Sequence, residues 1–431
     1  MRSTPVHRHL PALLALALAV PAAGEFYNDH ELAPHNYGTR PLADPMTRLL
    51  DRAKAGEITL DEPAGRPLVE RLLRELGIRK ETQVLVFSKT SLQKRAVSPK
   101  NPRAIYFNDE VYLGWMPGGR IEIASFDPDL GPIFYFQRPL DDPKAPLFAR
   151  NSSCLGCHAG DDARFIPANL GLSVYPDALG RSRQRAPGHR TSNHTLPWEH
   201  RWGGWYVTGR HGDIRHMGNA IASREGNEVR IDREKFANLE NLDAFFPPGR
   251  FPAPGSDVGA LLVFDHQITM HNLIVEGTYR ARQALFDSKL ANDETDRAKL
   301  GKESAKLVKQ AVRMIVDGLL FRDEAPLGKG VVADPAFVEA FRADRRACGA
   351  GRSLKDFRLE DRIFEHRCSY MIHSPAFDGL PPILKAAVYK RLRRVLAADT
   401  PVERYAYLGT GERKAIMEIL RATRKDLPEG W

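Results

Sequence analysis

Cys154-Leu155-Gly156-Cys157-His158 is the stretch around which the rest of the chain is organised. Its two thiols stand three positions apart, so on one helical turn they can reach the two vinyl groups of a porphyrin. His158 follows the second thiol directly and falls under the iron as an axial ligand. The order Cys-x-x-Cys-His occurs once in the sequence. It therefore predicts one covalently bound haem c as the cofactor.

Two other kinds of site use a cysteine pair at this spacing. A zinc ribbon needs a second pair of similar spacing, and the sequence has none. A thioredoxin-like dithiol needs a strand–helix–strand context that the flanking residues lack. Haem attachment is favoured over both, because an export signal accompanies the motif.

The first residues have the pattern of a secretory signal. Arg2 and Arg8 precede an apolar run over residues 10–20 that is too short to span a bilayer. Small residues follow Pro21, where a signal peptidase can cut. We predict a cleaved signal peptide at 1–24, a periplasmic mature protein and no transmembrane segment after cleavage. The alternative, an uncleaved anchor, is disfavoured by the short run.

The net charge of the protein indicates which class of binding partner to expect. The formal net charge falls from +9 to +7 when Arg2 and Arg8 leave with the signal. A basic periplasmic protein suits an acidic redox partner protein or an anionic envelope surface, and the compartment argues against nucleic acid. A basic surface that serves only solubility is equally consistent with this composition.

Two cysteines remain once the motif is assigned to haem. Cys348 and Cys368 lie in an oxidising compartment at a spacing that suits a local loop, so we predict a disulfide between them. Closing a loop of about twenty residues would stabilise the fold by roughly 3 kcal/mol. The alternative is two unrelated thiols, one of them ligating a metal.

The chain divides into four predicted regions. After the signal peptide, residues 25–150 hold two short helices and a small antiparallel sheet, 151–257 the haem attachment site and a Trp/His-rich pocket, and 258–431 a helical region with the disulfide. The predicted class is α+β, mainly helical. The predicted strands are Gln83–Phe87, Ala104–Phe107, Glu110–Trp115, Arg120–Ile123 and Ile133–Phe136.

Residues 194–219 concentrate aromatic and imidazole groups. Trp202 and Trp205 are predicted to face the haem, because aromatic rings bury large flat surfaces and neighbouring glycines admit close approach. The alternative is a Trp-rich corner of the core. Arg164 is a candidate partner for a haem propionate, since a guanidinium matches a carboxylate with two hydrogen bonds. The alternative for Arg164 is a surface role.

The sixth iron ligand is sought in the same stretch. His216 or Met217 is the first candidate, because glycines and tryptophans surround a loop that can approach a flat cofactor. Adjacent side chains diverge, so only one of the two can bind. The second candidate is a helix carrying His266, Met270 and His271 on or near one face.

Three blocks of sequence resemble known proteins. The motif is similar to c-type cytochromes as a class, and two longer blocks, 201–219 and 368–380, resemble a group of exported bacterial cytochrome c domain proteins. The likeness runs from about Val84 to near the C-terminus. It implies haem, export and a monohaem architecture, with Cys154, Cys157 and His158 as the residues carried over, and it implies no substrate. The length and the sheet depart from compact single-domain cytochromes.

Three functions are compatible with these features. The first is electron transfer by a six-coordinate haem. The second is a haem-dependent oxidoreductase of peroxidase type, which needs an open sixth position and a nearby acid–base group. The third is a haem-bearing sensor or binding protein. We favour them in that order.

Overall fold

The structure is a computed structural model that describes residues 30–431 apart from 140, 143, 145, 186–190, 226–227 and 248. The signal peptide predicted at residues 1–24 lies outside the described residues. Among the residues that are described, no helix combines the length and apolar character needed to cross a membrane.

Short strands form one large sheet and three small ones. In chain order they are β1 (Val84–Val86), β2 (Arg103–Phe107), β3 (Val111–Trp115), β4 (Glu122–Asp127), β5 (Gly131–Gln137), β6 (Phe148–Arg150), β7 (Val174–Pro176), β8 (Ser182–Arg185), β9 (Trp205–Tyr206), β10 (Arg210–His211), β11 (Ala222–Glu225), β12 (Glu228–Ile231) and β13 (Val331–Val332). The large sheet has the order β6-β5-β4-β3-β2-β1-β9, and each pairing is antiparallel. The small sheets pair β7 with β8, β10 with β13 and β11 with β12.

Helices flank the large sheet and build the C-terminal half. They are α1 (Pro45–Lys54), α2 (Arg66–Glu75), α3 (Leu155–His158), α4 (Val258–Asp287), α5 (Lys302–Leu319), α6 (Pro335–Arg342), α7 (Pro375–Asp378), α8 (Pro382–Leu396) and α9 (Thr410–Thr423). α4 is buried along most of its length and on nearly all sides. The apolar residues of α4 therefore lie on all sides of the helix, rather than in one stripe along it.

One face of the large sheet is closed by α1 and α2. Side chains alternate between the two faces of a strand, and Leu113 and Ile123 share a buried cluster with Leu68 and Leu72 of α2. Burying such side chains is the main stabilising term in a core of this kind.

Asp44 ties α1 to this face. Its Oδ1 accepts hydrogen bonds from the backbone N–H groups of Met46 and Thr47, at 3.0 and 3.2 Å, and so caps the helix. Its Oδ2 accepts from the Tyr135 hydroxyl of β5 at 2.8 Å. One carboxylate thus satisfies the helix end and fixes the helix on the sheet.

The opposite face is divided. Phe264 of α4 covers one half, with its ring centroid 5.5 Å from that of Phe107 and 5.8 Å from that of Tyr112. Further along β2 and β4 the same face borders a cavity instead. The position of α4 therefore decides which part of the sheet stays open.

The predicted disulfide is absent from the structure. Cys348 and Cys368 are free thiols, and both are buried. They belong to the core cluster around α4 and pack there as small apolar side chains. Burial raises the pKa of the Cys368 thiol to about 12.

The predicted balance of helix and strand is wrong. Among the described residues, helices take 35% and strands 14%, and the N-terminal half contains a seven-stranded antiparallel sheet, so this is not a mainly helical cytochrome c fold. The extent of the sheet was missed because its edge strands β6 and β9 have three and two residues. Runs that short show no alternation in sequence. β9 also comes from the region 151–257, far along the chain from its partner β1.

Gly203 offers a test of the packing between β7 and the chain next to β9. A Cβ atom at this position would lie 2.0 Å from the carbonyl oxygen of Val174. Gly203→Ala must therefore displace backbone, and we expect the free energy of unfolding to fall by about 1–3 kcal/mol, read as a lower urea midpoint. Gly349→Ala is the matched control, because a Cβ there meets no heavy atom within 4 Å. Equal midpoints for the two variants would contradict this packing.

Candidate functional site

A cavity of about 820 Å³ lies beside the Cys-x-x-Cys-His motif, within the size range of protein ligand pockets. The motif, one half of a sheet face, the loop after β1 and α4 all contribute to it. Its lining includes Cys154, Cys157, His158, Arg103, Ile105, Tyr112, Gly114, Glu122, Ala124, Phe134, Lys89, Lys94, Trp205, Phe264 and Ile268.

The motif reaches this cavity from one continuous turn of chain. The backbone N–H of Asn151 donates to the carbonyl of Phe134 at 2.8 Å, which extends the pairing of β6 with β5. The Asn151 side chain then caps a 3₁₀ turn by accepting from the Ser153 N–H at 2.9 Å. α3 follows at once and places the second thiol and the imidazole on the cavity wall.

His158 is held in one tautomer. Its Nδ1 donates to the carbonyl oxygen of Ala168 at 2.8 Å, and the Ala168 N–H donates back to the carbonyl of His158 at 2.8 Å. A carbonyl can only accept, so Nδ1 carries the proton and Nε2 keeps its lone pair. Burial lowers the pKa of His158 and so favours this neutral form. The arrangement matches that of metal-binding histidines, whose second nitrogen is fixed by a backbone carbonyl.

Cys154 does not have the environment of a redox thiolate. Burial raises the pKa of its thiol to about 11, and the carboxylate of Glu122 adds to the rise. Reactive dithiol motifs have the opposite shift, towards lower pKa. Within the part of the chain that the structure describes, no three His, Cys, Asp or Glu side chains are grouped to hold a metal ion.

The sheet forms the floor of the cavity. On β2, Arg103 and Ile105 are partly exposed while Ala104 and Tyr106 are buried, as expected for a strand with one open face. β4 repeats this pattern, with Glu122 partly exposed at its first position.

The centre of the floor is flat. Gly114 on β3 pairs with Ile105 on one side and with Glu122 on the other. Glycine inside a strand often marks a position where a ligand comes close to the backbone. Ala124, which is also small, lies two residues after Glu122 on β4 and therefore on the same face of the sheet. The Arg103 side chain crosses the sheet over Gly114 on its way to Glu122, so the open part of the floor lies beside Ala124.

Aromatic side chains border the floor. The Phe134 ring centroid lies 4.5 Å from that of His158. Trp205 lines the cavity, and its indole N–H donates to the carbonyl of Leu172 at 2.8 Å. Trp202 does not line it. Its side chain is buried in the core, and its indole N–H donates to Asp265 Oδ2 at 2.9 Å.

Arg164 also lies away from this cavity. Its side chain is 60% exposed and donates to Glu276 Oε1 at 2.8 Å. It borders a separate depression of about 150 Å³. The residue follows the 3₁₀ turn Asp161–Ala163 in a left-handed conformation.

The first pair of predicted sixth ligands does not line the cavity. His216 is buried, accepts from the Gly218 N–H through Nδ1 at 3.0 Å, and packs against Trp202 and His211. Met217 is fully buried in a small cluster with Tyr175 and Ala222. The glycines and tryptophans of this stretch mainly serve its own packing.

The second set of candidate ligands, His266, Met270 and His271 of α4, also lies outside the cavity. Both nitrogens of His266 have partners, His194 at 3.3 Å and Ser369 at 2.7 Å. Both nitrogens of His271 also have hydrogen-bond partners, which are the Tyr112 hydroxyl at 2.9 Å and the Asp109 carbonyl at 3.1 Å. Met270 is buried and, like these histidines, lies outside the cavity lining.

The charged residues of the floor, Arg103 and Glu122, were not among the site residues predicted from the sequence. Arg103 and Glu122 meet only through the pairing of β2, β3 and β4, because β3 separates their strands. The sequence did contain a signal for them. Arg103 lies two residues before Ile105 on β2, and Glu122 lies two residues before Ala124 on β4, so each charged side chain is on the same strand face as an apolar one. A charge on the face of a strand that also carries apolar residues points to a lined cavity.

Comparison with known proteins identifies no relative, because no family model, curated protein or solved structure matches the chain.

Proposed function

We propose that this cavity holds one haem c, with Cys154 and Cys157 forming the thioether bonds and His158 binding the iron. One observation carries the proposal: all three side chains line one cavity, and the Ala168 carbonyl keeps His158 in the tautomer with a free lone pair on Nε2. When bound, a haem supplies a one-electron redox centre.

The rest of the cavity suits such a cofactor. Ala124 adds little bulk to this face of the sheet, and Phe134 and Trp205 add aromatic surface. The volume of about 820 Å³ accommodates a molecule of this size. These features were not used to predict the haem, so they support it independently of the motif.

We further propose that the protein works in the periplasm. Thioether attachment of haem takes place outside the cytoplasm, and the predicted signal peptide at residues 1–24 would direct export. The two arguments are independent, since one rests on the chemistry of the motif and the other on the N-terminal pattern.

As its function we propose electron transfer with a redox partner protein. Lys94 is exposed and Lys89 partly exposed, and both line the cavity. They place positive charge beside the proposed redox centre, where it would attract an acidic partner and orient it.

A second candidate function is a haem-dependent oxidoreductase, which one specific observation favours. Among the described residues that line the cavity, His158 is the only histidine and none is a methionine. The strong sixth ligands of electron carriers are therefore not available there. A sixth position open to exchange is what a reaction at the iron needs.

His158→Ala tests the axial ligand. We expect the variant to keep covalently attached haem, because both thiols remain, but to lose the wild-type ferric and reduced absorption bands. Met217→Leu is the control, since this volume-conserving change lies outside the cavity, and its spectrum should match the wild type. Unchanged bands in His158→Ala, or altered bands in Met217→Leu, would contradict the assignment.

Carbon monoxide distinguishes the two candidate functions. The oxidoreductase predicts shifted bands when the gas is added to the reduced protein, because a sixth position without an imidazole or thioether ligand is open to it. Unchanged bands in protein that carries one haem per chain would support a six-coordinate electron carrier and argue against the oxidoreductase.

A further inference from the structure

The cavity has an apolar end and a charged end. Along β2, the residues of the cavity face run from Phe107 through Ile105 to Arg103, and along β4 they run from Phe126 through Ala124 to Glu122. The phenylalanines lie in the core cluster around α4. The charged pair lies at the other end of the same two strands.

Arg103 reaches across β3 to make this pair. Its Nη1 donates to Glu122 Oε2 at 2.6 Å. The other carboxylate oxygen, Oε1, accepts from the Gln93 side chain at 3.0 Å, and Gln93 also donates to the carbonyl of Arg120 at 2.8 Å. Glu122 is thus held through both oxygens, and it fixes the guanidinium in one place.

A donor of Arg103 remains unsatisfied. Its Nε is buried and has no hydrogen-bond partner, although buried N–H groups nearly always have one. The side chain as a whole is 18% exposed and lines the cavity. Because the Nε atom itself has almost no exposed surface, an acceptor that belongs to the cavity's occupant would bind the exposed part of this side chain.

The other cations of the cavity lie near this end. Lys89 and Lys94 belong to the loop that also carries Gln93, the residue bonded to Glu122. Opposing charges come from Glu122 itself and from Asp161 and Asp162, which follow the motif. The acids next to the motif are separated along the chain from the basic loop after β1.

We infer that Arg103 binds an anionic group of the molecule in this cavity, a carboxylate that is either a haem propionate or a small acid from solution. The inference rests on the proposed haem site and names the residue that would orient its occupant. A guanidinium offers a carboxylate planar, paired N–H donors. A haem has an apolar macrocycle and carboxylates on one edge, which matches the apolar and charged ends of the cavity.

The test uses full-length protein purified with its haem. Arg103→Gln is compared with wild type and with Arg164→Gln, the matched control, whose guanidinium binds Glu276 outside the cavity. The midpoint potential is measured against pH to obtain the pKa of the redox-linked carboxylate. The dissociation constant of formate is measured by titrating the ferric protein.

If the carboxylate is a propionate, Arg103→Gln should raise the redox-linked pKa by about 1–3 pH units, because a cation that favours the charged form is lost. If it is a small acid, the dissociation constant of formate should rise at least tenfold. Either result in Arg103→Gln alone supports the inference. Both quantities equal to those of Arg164→Gln would overturn it.

A second variant covers the case in which Arg103→Gln does not fold. Glu122→Gln removes the carboxylate that competes for the guanidinium, so it should move one of the two quantities in the opposite direction, to a lower pKa or tighter formate binding. No change in either would overturn the inference. Wild-type protein without covalent haem would instead refute the proposed function itself, so the two failures are distinguishable.

Discussion

The extended backbone of a β-strand places successive side chains on opposite faces of the sheet, and both faces must then be covered or put to use. Here α1 and α2, together with Leu242, Phe246 and Phe251 from the chain after β12, cover one face. On the other face, α4 covers the part that carries bulky rings, such as Phe107 and Phe126. The part with Gly114, Ala124 and a charged pair has less apolar area to bury, so leaving it open costs less stability. The cavity is thus a consequence of which residues alternate along β2, β3 and β4.

The edges of the sheet bring the remaining parts of the site to this open half. β6 leads directly into the motif. The hydrogen bond from the Asn151 N–H to the Phe134 carbonyl fixes the position along β5 at which the turn of the motif begins. At the other edge, β9 pairs with β1 and carries Trp205 to the cavity. Both edge strands are very short, so each exposes little unpaired backbone.

Local sequence features were predictable and distant pairings were not. The motif could be read directly, because its chemistry lies within five consecutive residues. α4 at Val258–Asp287 also contains the helix expected to carry His266, Met270 and His271, since its apolar content extends over many turns. His216 and Met217 were wrongly expected at the cavity, because their surrounding glycines and tryptophans looked the same as a pocket while serving the core. Arg103 and Glu122 could be joined only with the register of three strands in hand.

The central claim is that Cys154 and Cys157 carry a haem, and mass spectrometry of one peptide tests it most directly. Trypsin cutting after Arg150 and Arg164 releases residues 151–164, which contain both thiols of the motif and no other cysteine. In protein isolated from the periplasm, we predict that this peptide carries the added mass of one haem, resists alkylation and keeps the haem in acidified acetone. A peptide of unmodified mass, with both thiols free to react with iodoacetamide, would contradict the claim.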